Sequence, residues 1–346
     1  MNMPMFEVKI YSIGDLKDRI VAGKENGLNS DCISNARAWA IINNPYARDE
    51  YPAIAVASVD DKIVGYTAVF PDMIGTRLVF WGTTGFVSQE MRGKGLGTTM
   101  YSKMMHATNG QWLASDSAPA ALKISIKTKL NVSFFERYYL NFKREKSLRS
   151  VLKYEYLKIR NRRVLNSIDN GDVTLQIVKG IDDLTYEFIC RHSQNYMFTR
   201  TKEMLNWILQ FPFKAEAPSE LETYSSYDFT TAIEWYNIYA FRIIIDKHLV
   251  GFAMFRNNMG ELTLLYNYFD VNYKSEVFRV LSSHVLKQHP IKFKTFDSEL
   301  ISFFDETGIV SMNSRTRTQK ISLSVPAEMH FDEKLKLQCG DGDMFC

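Results

Sequence analysis

Apolar and polar residues alternate along residues 6–13, the period-two pattern of a half-buried strand. Residues 15–22 and 31–42 then take a helical spacing, the second with Ser30 or Asp31 in place to cap it. An apolar run over 53–59, the pair Asp60-Asp61 and a returning run over 62–70 predict a tight hairpin, and 77–87 predicts a longer strand. Residues 92–97 are rich in glycine, 98–107 are helical with Met100 and Met104 on one face, and Asn109-Gly110 ends that helix. Beyond Gly110 two readings stay open. One makes 111–114 a strand, 118–129 a helix and 132 onward a strand; the other makes 122–126 the strand and 131–139 the helix. Strong helix formers over 118–129, with a proline where a first turn tolerates it, favour the first.

Residues 143–163 carry nine Lys or Arg against Glu145 and Glu155, and 151–159 within them reads as strand-like. The polar, turn-rich stretch 166–171 follows and predicts a domain boundary. The second half then repeats the order of the first: strand 172–178, helices 182–192 and 201–210, a hairpin of 240–245 and 249–255, strand 261–270, helix 274–288, strand 291–296, helix 299–306 and strand 319–325. The turn Asp60-Asp61-Lys62-Ile63-Val64-Gly65-Tyr66 is matched by Asp246-Lys247-His248-Leu249-Val250-Gly251-Phe252. The expectation is an α/β chain (an α+β mixed sheet) that contains one fold twice, over 1–147 and 172–327. A basic linker spans 148–171, and 328–346 is a polar, mobile tail.

The bulk numbers change this picture little. A chain of 346 residues with 46% apolar, 13% aromatic and 23% charged residues can build large cores. A net charge of +3 is too small to imply nucleic acid or membrane on global charge, so neither is expected as a partner. For the basic stretch 143–163 a solvated linker is favoured over a phosphate-bearing partner. Cys32, Cys190, Cys339 and Cys346 form no C-x-x-C and nothing marks secretion, so free buried thiols and a cytoplasmic location are expected. The six histidines show no metal-ligand spacing, so no metal site is expected. The aromatic run 224–239, with Trp235, Tyr236 and Tyr239, is expected in a core rather than in a pocket between domains.

One segment carries chemistry. In Val87-Ser88-Gln89-Glu90-Met91-Arg92-Gly93-Lys94-Gly95-Leu96-Gly97-Thr98-Thr99 a strand ends, glycines follow and a helix starts. Glycines admit positive φ and let a ligand approach the backbone. The first amides of a helix lack intrahelical partners, and the helix dipole adds partial positive charge there, so the segment is a candidate diphosphate cradle. It is no P-loop, because no Lys-Ser or Lys-Thr pair follows a glycine. It is no dinucleotide fingerprint either, because the spacing is G-x-G-x-G and an antiparallel hairpin precedes it, although Asp116 lies at a suitable distance for a ribose contact.

Arg92, Gly95 and Gly97 occupy the fixed positions of [Q/R]-x-x-G-x-[G/A], and here the chain resembles the GNAT superfamily of N-acetyltransferases. In motif the resemblance covers about residues 53–132, and in element order about 6–143. The second half resembles the same fold without the motif, since Asp270-Val271-Asn272-Tyr273-Lys274-Ser275-Glu276 has no glycine. The implied architecture is an intact GNAT-like domain followed by a degenerate copy. The resemblance implies that amides of Gly93, Lys94, Gly95, Leu96, Gly97 and Thr98, with Arg92, hold the CoA diphosphate. Backbone at Phe86 and Val87 would pair with the pantetheine arm like an added strand. A bulge would splay the fourth strand from the fifth, and Gly82 and Gly85 suit it.

The implied reaction moves an acetyl group from acetyl-CoA to a primary amine of a small molecule. Neutralising an amine of pKa about 10.4 at pH 7 costs about 4–5 kcal/mol, so a base is needed. Glu50, Asp72, Glu90 and Asp116 are candidates, and Asp116, just past a predicted strand end, is the first choice. The family often carries a tyrosine acid on the helix after the fifth strand. The favoured alignment puts Ser125 there, and the other puts Tyr138 there, beside Tyr139. Trp81, Thr83 and Thr84 would line the acyl slot or pack. Two other readings stay open: an aminoacyl transferase of the Fem-like group that uses charged transfer RNA, and a non-catalytic module that binds acyl-CoA.

Overall fold

The structure is a computed structural model that describes residues 6–22, 33, 35–142, 148–167, 173–211, 215–216, 232–233, 235–309, 317–332 and 334–342. Helix caps at Ser30 or Asp31, residues 168–171 of the expected boundary, 224–231 of the aromatic run, Cys32 and Cys346 lie outside the described residues.

The first half runs β1 (Glu7–Ser12), α1 (Ile13–Ala22), α2 (Asn35–Ile42), β2 (Pro52–Val59), β3 (Lys62–Ile74), β4 (Arg77–Val87), α3 (Leu96–Ala107), β5 (Trp112–Ser115), α4 (Pro119–Lys127) and β6 (Asn131–Asn141). Helix α5 (Leu148–Ser167) leads to the second half: β7 (Val173–Val178), α6 (Asp183–Arg191) and α7 (Lys202–Gln210). A two-residue ladder of β8 (Ala215–Glu216) and β9 (Ala232–Ile233) intervenes. Then come β10 (Tyr236–Ile245), β11 (His248–Asn258), β12 (Glu261–Phe269), α8 (Lys274–Lys287), β13 (Lys292–Thr295), α9 (Ser298–Glu306) and β14 (Arg317–Val325). The repeated element order and the first of the two readings beyond Gly110 are both seen.

Local chemistry accounts for much of this. Asp60 and Asp61 take φ of 47° and 60°, and Asp246 and Lys247 take 47° and 67°, the paired positive φ of two-residue hairpin turns. Asp182, Thr201 and Asp297 cap α6, α7 and α9 by accepting from Thr185, Met204 and Leu300 N–H, and Pro119 opens α4.

Twelve strands form one sheet in the order β1-β2-β3-β4-β5-β14-β6-β13-β12-β11-β10-β7. The chain's last strand pairs with β5 and β6, while β6 pairs with β13, so each half completes its sheet with the other's final strand. One core on one face packs α1 and α2 with α6 and α7. Trp207 joins them: it packs against Phe70 with the rings tilted and their centroids 5.4 Å apart, and it donates to the Ala40 carbonyl at 2.6 Å. The other face holds two cores, one under α3 and one under α8 and α9.

Three expectations are corrected. Residues 151–159 are helix, not strand: Leu157 and Asn161 turn inward on α5, which packs on α8. Cys339 is buried but Cys190 is exposed, and both are free. The tail is no mobile appendage, because Met329, Leu337, Cys339 and Asp341 are buried in the molecule.

Candidate functional site

Strands β4 and β5 run parallel but pair only at Phe80↔Trp112 and Trp81↔Leu113. Past that point β5 turns to β14, with Ala114 and Ser115 paired to Ser324 and Leu323, and β4 continues to Val87 paired with β3 on its other side. The two strands therefore part in a V. The register of β3 against β4 slips between Thr67 and Ala68, which leaves Thr84 as an extra residue at φ 45°. A β-branched residue at positive φ is strained by roughly 1–2 kcal/mol, and such strain concentrates at functional sites. The bulge thus sits on Thr84, between the expected Gly82 and Gly85. Gly82 has another reason to be glycine: a Cβ there would lie 2.4 Å from the Trp112 ring.

The end of β4 leads to the glycine loop. Arg92 Nε donates to the Val87 carbonyl at 3.1 Å and ties the loop to the strand. Gly93 and Gly95 take φ of 79° and 84°, and nothing lies within 4 Å of a Cβ built on either. Helix α3 has no side-chain cap, and its first intrahelical bond runs from Thr99 N–H to the Gly95 carbonyl at 3.0 Å. The N–H groups of Leu96, Gly97 and Thr98 thus precede the hydrogen-bonded ladder, at the positive end of the helix dipole. Leu96 is buried and anchors this mouth, while Gly93, Lys94 and Gly95 are exposed. The arrangement offers an anion three amides and an open approach.

The second half has the same V. Strands β12 and β13 pair from Glu261↔Lys292 to Thr263↔Lys294 and then part. The register of β11 slips between Met254 and Phe255, which leaves Leu265 at the place Thr84 holds in the first half. This gap is filled by the chain itself. Gly340 N–H donates to the Leu265 carbonyl at 2.9 Å, Gln338 Oε1 accepts from Asn267 N–H at 2.9 Å, and Leu337 and Cys339 are buried there. A turn of the chain therefore fits such a gap by bonding the bulge carbonyl and the strand beyond it. The tail goes on to the first V, where a Cβ on Gly342 would meet Ser115 Oγ at 2.4 Å and the Trp81 ring at 2.8 Å.

Between the two gaps lies a buried charge cluster. Arg200 reaches from the α6–α7 connection and pairs with Asp72 of β3 through Nη1. Its Nε donates to Tyr266 Oη at 3.1 Å and lies 3.8 Å from Asp341 Oδ1. Trp81 Nε1 donates to Asp72 Oδ2 at 2.8 Å, and Tyr266 Oη donates to the Gly340 carbonyl. Burial pushes the Asp341 carboxyl up to about 7, with Arg200 and the Gln338 N–H bond opposing. Between about pH 4 and 7 the folded chain therefore binds more protons at this site than the unfolded chain, and this term lowers stability as pH rises. Asp341→Asn is expected to remove it. The stability of the variant relative to the native chain should rise from pH 4 to 7, by on the order of a few kcal/mol, and level off above. Urea titrations across that range check this, and a flat difference refutes the assignment.

The remaining predicted residues are dispersed. Asp116 sits past the end of β5 at φ 48°, donates its N–H to the Ser322 carbonyl at 2.9 Å and pairs with Arg137 Nη2 at 3.0 Å. Tyr138 neighbours Arg137 on β6, points to the other face of the sheet and packs on the core under α8 and α9, so the two are not brought together. Ser125 is buried on α4 and donates to the Ala121 carbonyl at 3.3 Å. Glu50 and Glu90 are exposed; Trp81 and Thr83 are buried. Asp72 was a candidate base, just past the predicted strand 62–70. Arg200 and Asp341 were not, and no local signal marks them.

No family model matches the chain, and no curated protein matches it. Solved structures do. A putative acetyltransferase from Pyrococcus horikoshii aligns at 10% identity over 97% of this chain and 94% of its own, with a TM-score of 0.51. Saccharomyces cerevisiae N-myristoyltransferase with bound myristoyl-CoA aligns at 12% identity over 94% and 80%, with a TM-score of 0.51. A glucosamine N-acetyltransferase region of a fungal multi-domain GH3 β-N-acetylglucosaminidase aligns at 11% identity over 94% and 38%, also with a TM-score of 0.51. At these identities the likeness is one of fold, and the fold of this chain is the GNAT fold.

Proposed function

We propose that this protein is an acyl-CoA-dependent N-acyltransferase that moves an acetyl group to a primary amine of a small molecule. The observation that carries the reading is the contrast between the two gaps. The second is closed by the tail, bonded to the carbonyl of the bulged Leu265. The first has a bulge at the matching place, Thr84, and it opens onto a helix mouth lined by Gly93, Gly95 and Gly97, whereas the turn before α8 has no glycine. A pantetheine arm offers amides at intervals and can pair with the free edge of β4 at Phe86 and Val87, as a strand would. The diphosphate then meets Gly93, Lys94, Gly95, Leu96, Gly97 and Thr98, with Arg92 bracing the loop. Trp81, Ser115 and Gly342 crowd the inner end of the gap, which favours a short acyl group.

Bound acyl-CoA supplies an activated thioester. The chain must orient it and receive a proton from the attacking amine as the C–N bond forms and the C–S bond breaks. Asp116 is our candidate proton acceptor, since it stands beyond Ser115 at the mouth of the gap. Tyr138 faces the other core and is given no donor role.

Release of CoA from acetyl-CoA, measured with a panel of amino sugars, amino acids and polyamines, tests the reading. Turnover is expected with at least one amine. Asp116→Asn should lower kcat by about 10²–10⁴ with acyl-CoA binding retained, and Arg92→Glu should weaken that binding. Binding without turnover on any amine would leave a non-catalytic acyl-CoA module. Absence of binding would refute the proposal.

A further inference from the structure

Helix α5 has two apolar stripes. Tyr154, Leu157 and Val164 belong to the inward one, which lies toward α8 with the buried Asn161. The other faces away from the protein: Leu148, Leu152, Tyr156 and Ile159 are 76%, 65%, 62% and 54% exposed. At 100° per residue these four fall on one side of the helix, opposite Leu157, and span about 17 Å. Four large apolar side chains in line on solvent are unusual for an interior-packed helix, and a stripe of this kind marks a contact surface.

Its flanks decide what it contacts. Lys153 and Arg160 lie to one side of the stripe and Lys158 and Arg162 to the other, Arg163 continues it one turn beyond Ile159, and all five are exposed; the single acidic residue, Glu155, sits at the edge of the stripe beside Leu152 and Ile159. A second copy laid stripe on stripe would bring cations against cations. The stripe stands proud on a convex helix, with cations along both edges whose long stems can keep their charges at headgroup level while the stripe enters the acyl boundary. The same face of the sheet exposes further apolar residues at its edge. On the edge strand β7, Leu175 and Ile177 alternate with Thr174 and Gln176 and share the face of Val173, which packs under α8; they are 39% and 75% exposed. The net charge of +3 conceals this patch because acidic residues elsewhere balance it.

We propose that the outer face of α5 docks the protein on an anionic membrane surface, with Leu152, Tyr156 and Ile159 in the interface and the flanking Lys and Arg on lipid phosphates. This is independent of the acyltransfer reading.

Flotation of the full chain with phosphatidylglycerol–phosphatidylcholine vesicles, against phosphatidylcholine alone, is the test. The expected result is partitioning at least about tenfold stronger on anionic vesicles, and weakened severalfold when salt rises from 0.1 to 0.5 M. Leu152→Asp with Ile159→Asp should lower it by about tenfold or more. Both side chains are on solvent, so the circular dichroism and melting of this variant should match the native chain. Ile159→Trp provides a gain of signal, a blue shift of the indole emission on anionic vesicles only. The proposal fails if the native chain stays unbound with anionic vesicles, or if the double Asp variant binds as well as the native chain. It also fails if sedimentation shows a dimer that the same variant dissolves, which would assign the stripe to a second copy.

Discussion

Arg200→Met is expected to cost about 3–5 kcal/mol of folding stability, the largest loss for any single substitution outside the apolar cores. Arg200 is 2% exposed and is the cation of a cluster in which Asp72 and Asp341 are 1% and 0% exposed. A buried ion pair adds little against an apolar replacement of both partners, but removing one partner leaves a carboxylate in a low dielectric with nothing to offset it. Asp72 would keep only the Trp81 N–H and its own neighbour's Met73 N–H, 2.8 Å each. Arg200 is also where the second half reaches into β3 of the first, so the loss acts on their association as well as on either half. Urea titration of the native chain and the variant measures the effect. Combining Arg200→Met with Asp72→Asn should recover part of the loss, because the charge left behind is then removed. A loss below about 1 kcal/mol, or no recovery in the double variant, would show that the cluster is solvated in a way the structure does not contain.

What was legible in the sequence was local. The hairpin turns follow from residues that tolerate positive φ beside apolar runs, and the helix mouth follows from three glycines next to a helical pattern. Each of those signals is complete within about a dozen residues. The bulge was legible only in kind. Glycines at 82 and 85 advertise backbone freedom, but Gly82 is spent on clearance for Trp112, and the strained residue is Thr84. Helix α5 was misread because a helix with opposed apolar stripes has a weak amphipathic contrast, and Val151, Tyr154, Tyr156 and Ile159 then look like strand formers.

The non-local features had no local trace. Nothing in residues 317–325 says that they pair with β5 and β6 rather than beside β13. Nothing in Lys336-Leu337-Gln338-Cys339-Gly340-Asp341 sets it apart from a solvated tail: beside the turn bonds between Gln338 and Asp341, its polar groups meet Asn195, Met197, Glu299 and β12, with Arg200 near Asp341, all of them distant in sequence. Composition therefore read as surface a segment that becomes interior once its hydrogen bonds are met.

Gly93→Val combined with Gly95→Val is expected to abolish measurable acyl-CoA binding, a fall of at least about a hundredfold, and with it all turnover. The two residues hold φ of 79° and 84°, which a β-branched residue adopts at roughly 1–2 kcal/mol each, so the substituted loop will favour another path. If it keeps its path, the new side chains occupy the open space in front of Gly93 and Gly95, beside the amides of Leu96, Gly97 and Thr98. Either way the helix mouth no longer reaches a diphosphate. The effect on folding should be confined to the strain, because neither Cβ meets any atom within 4 Å. Two melting curves separate the contributions. Without ligand the variant should lose about 2–4 kcal/mol. With acetyl-CoA at a hundred times its dissociation constant, the native chain should gain about 2.7 kcal/mol and the variant nothing. If the variant is stabilised by acetyl-CoA as much as the native chain, the diphosphate is not held at this helix mouth, whatever else the fold binds.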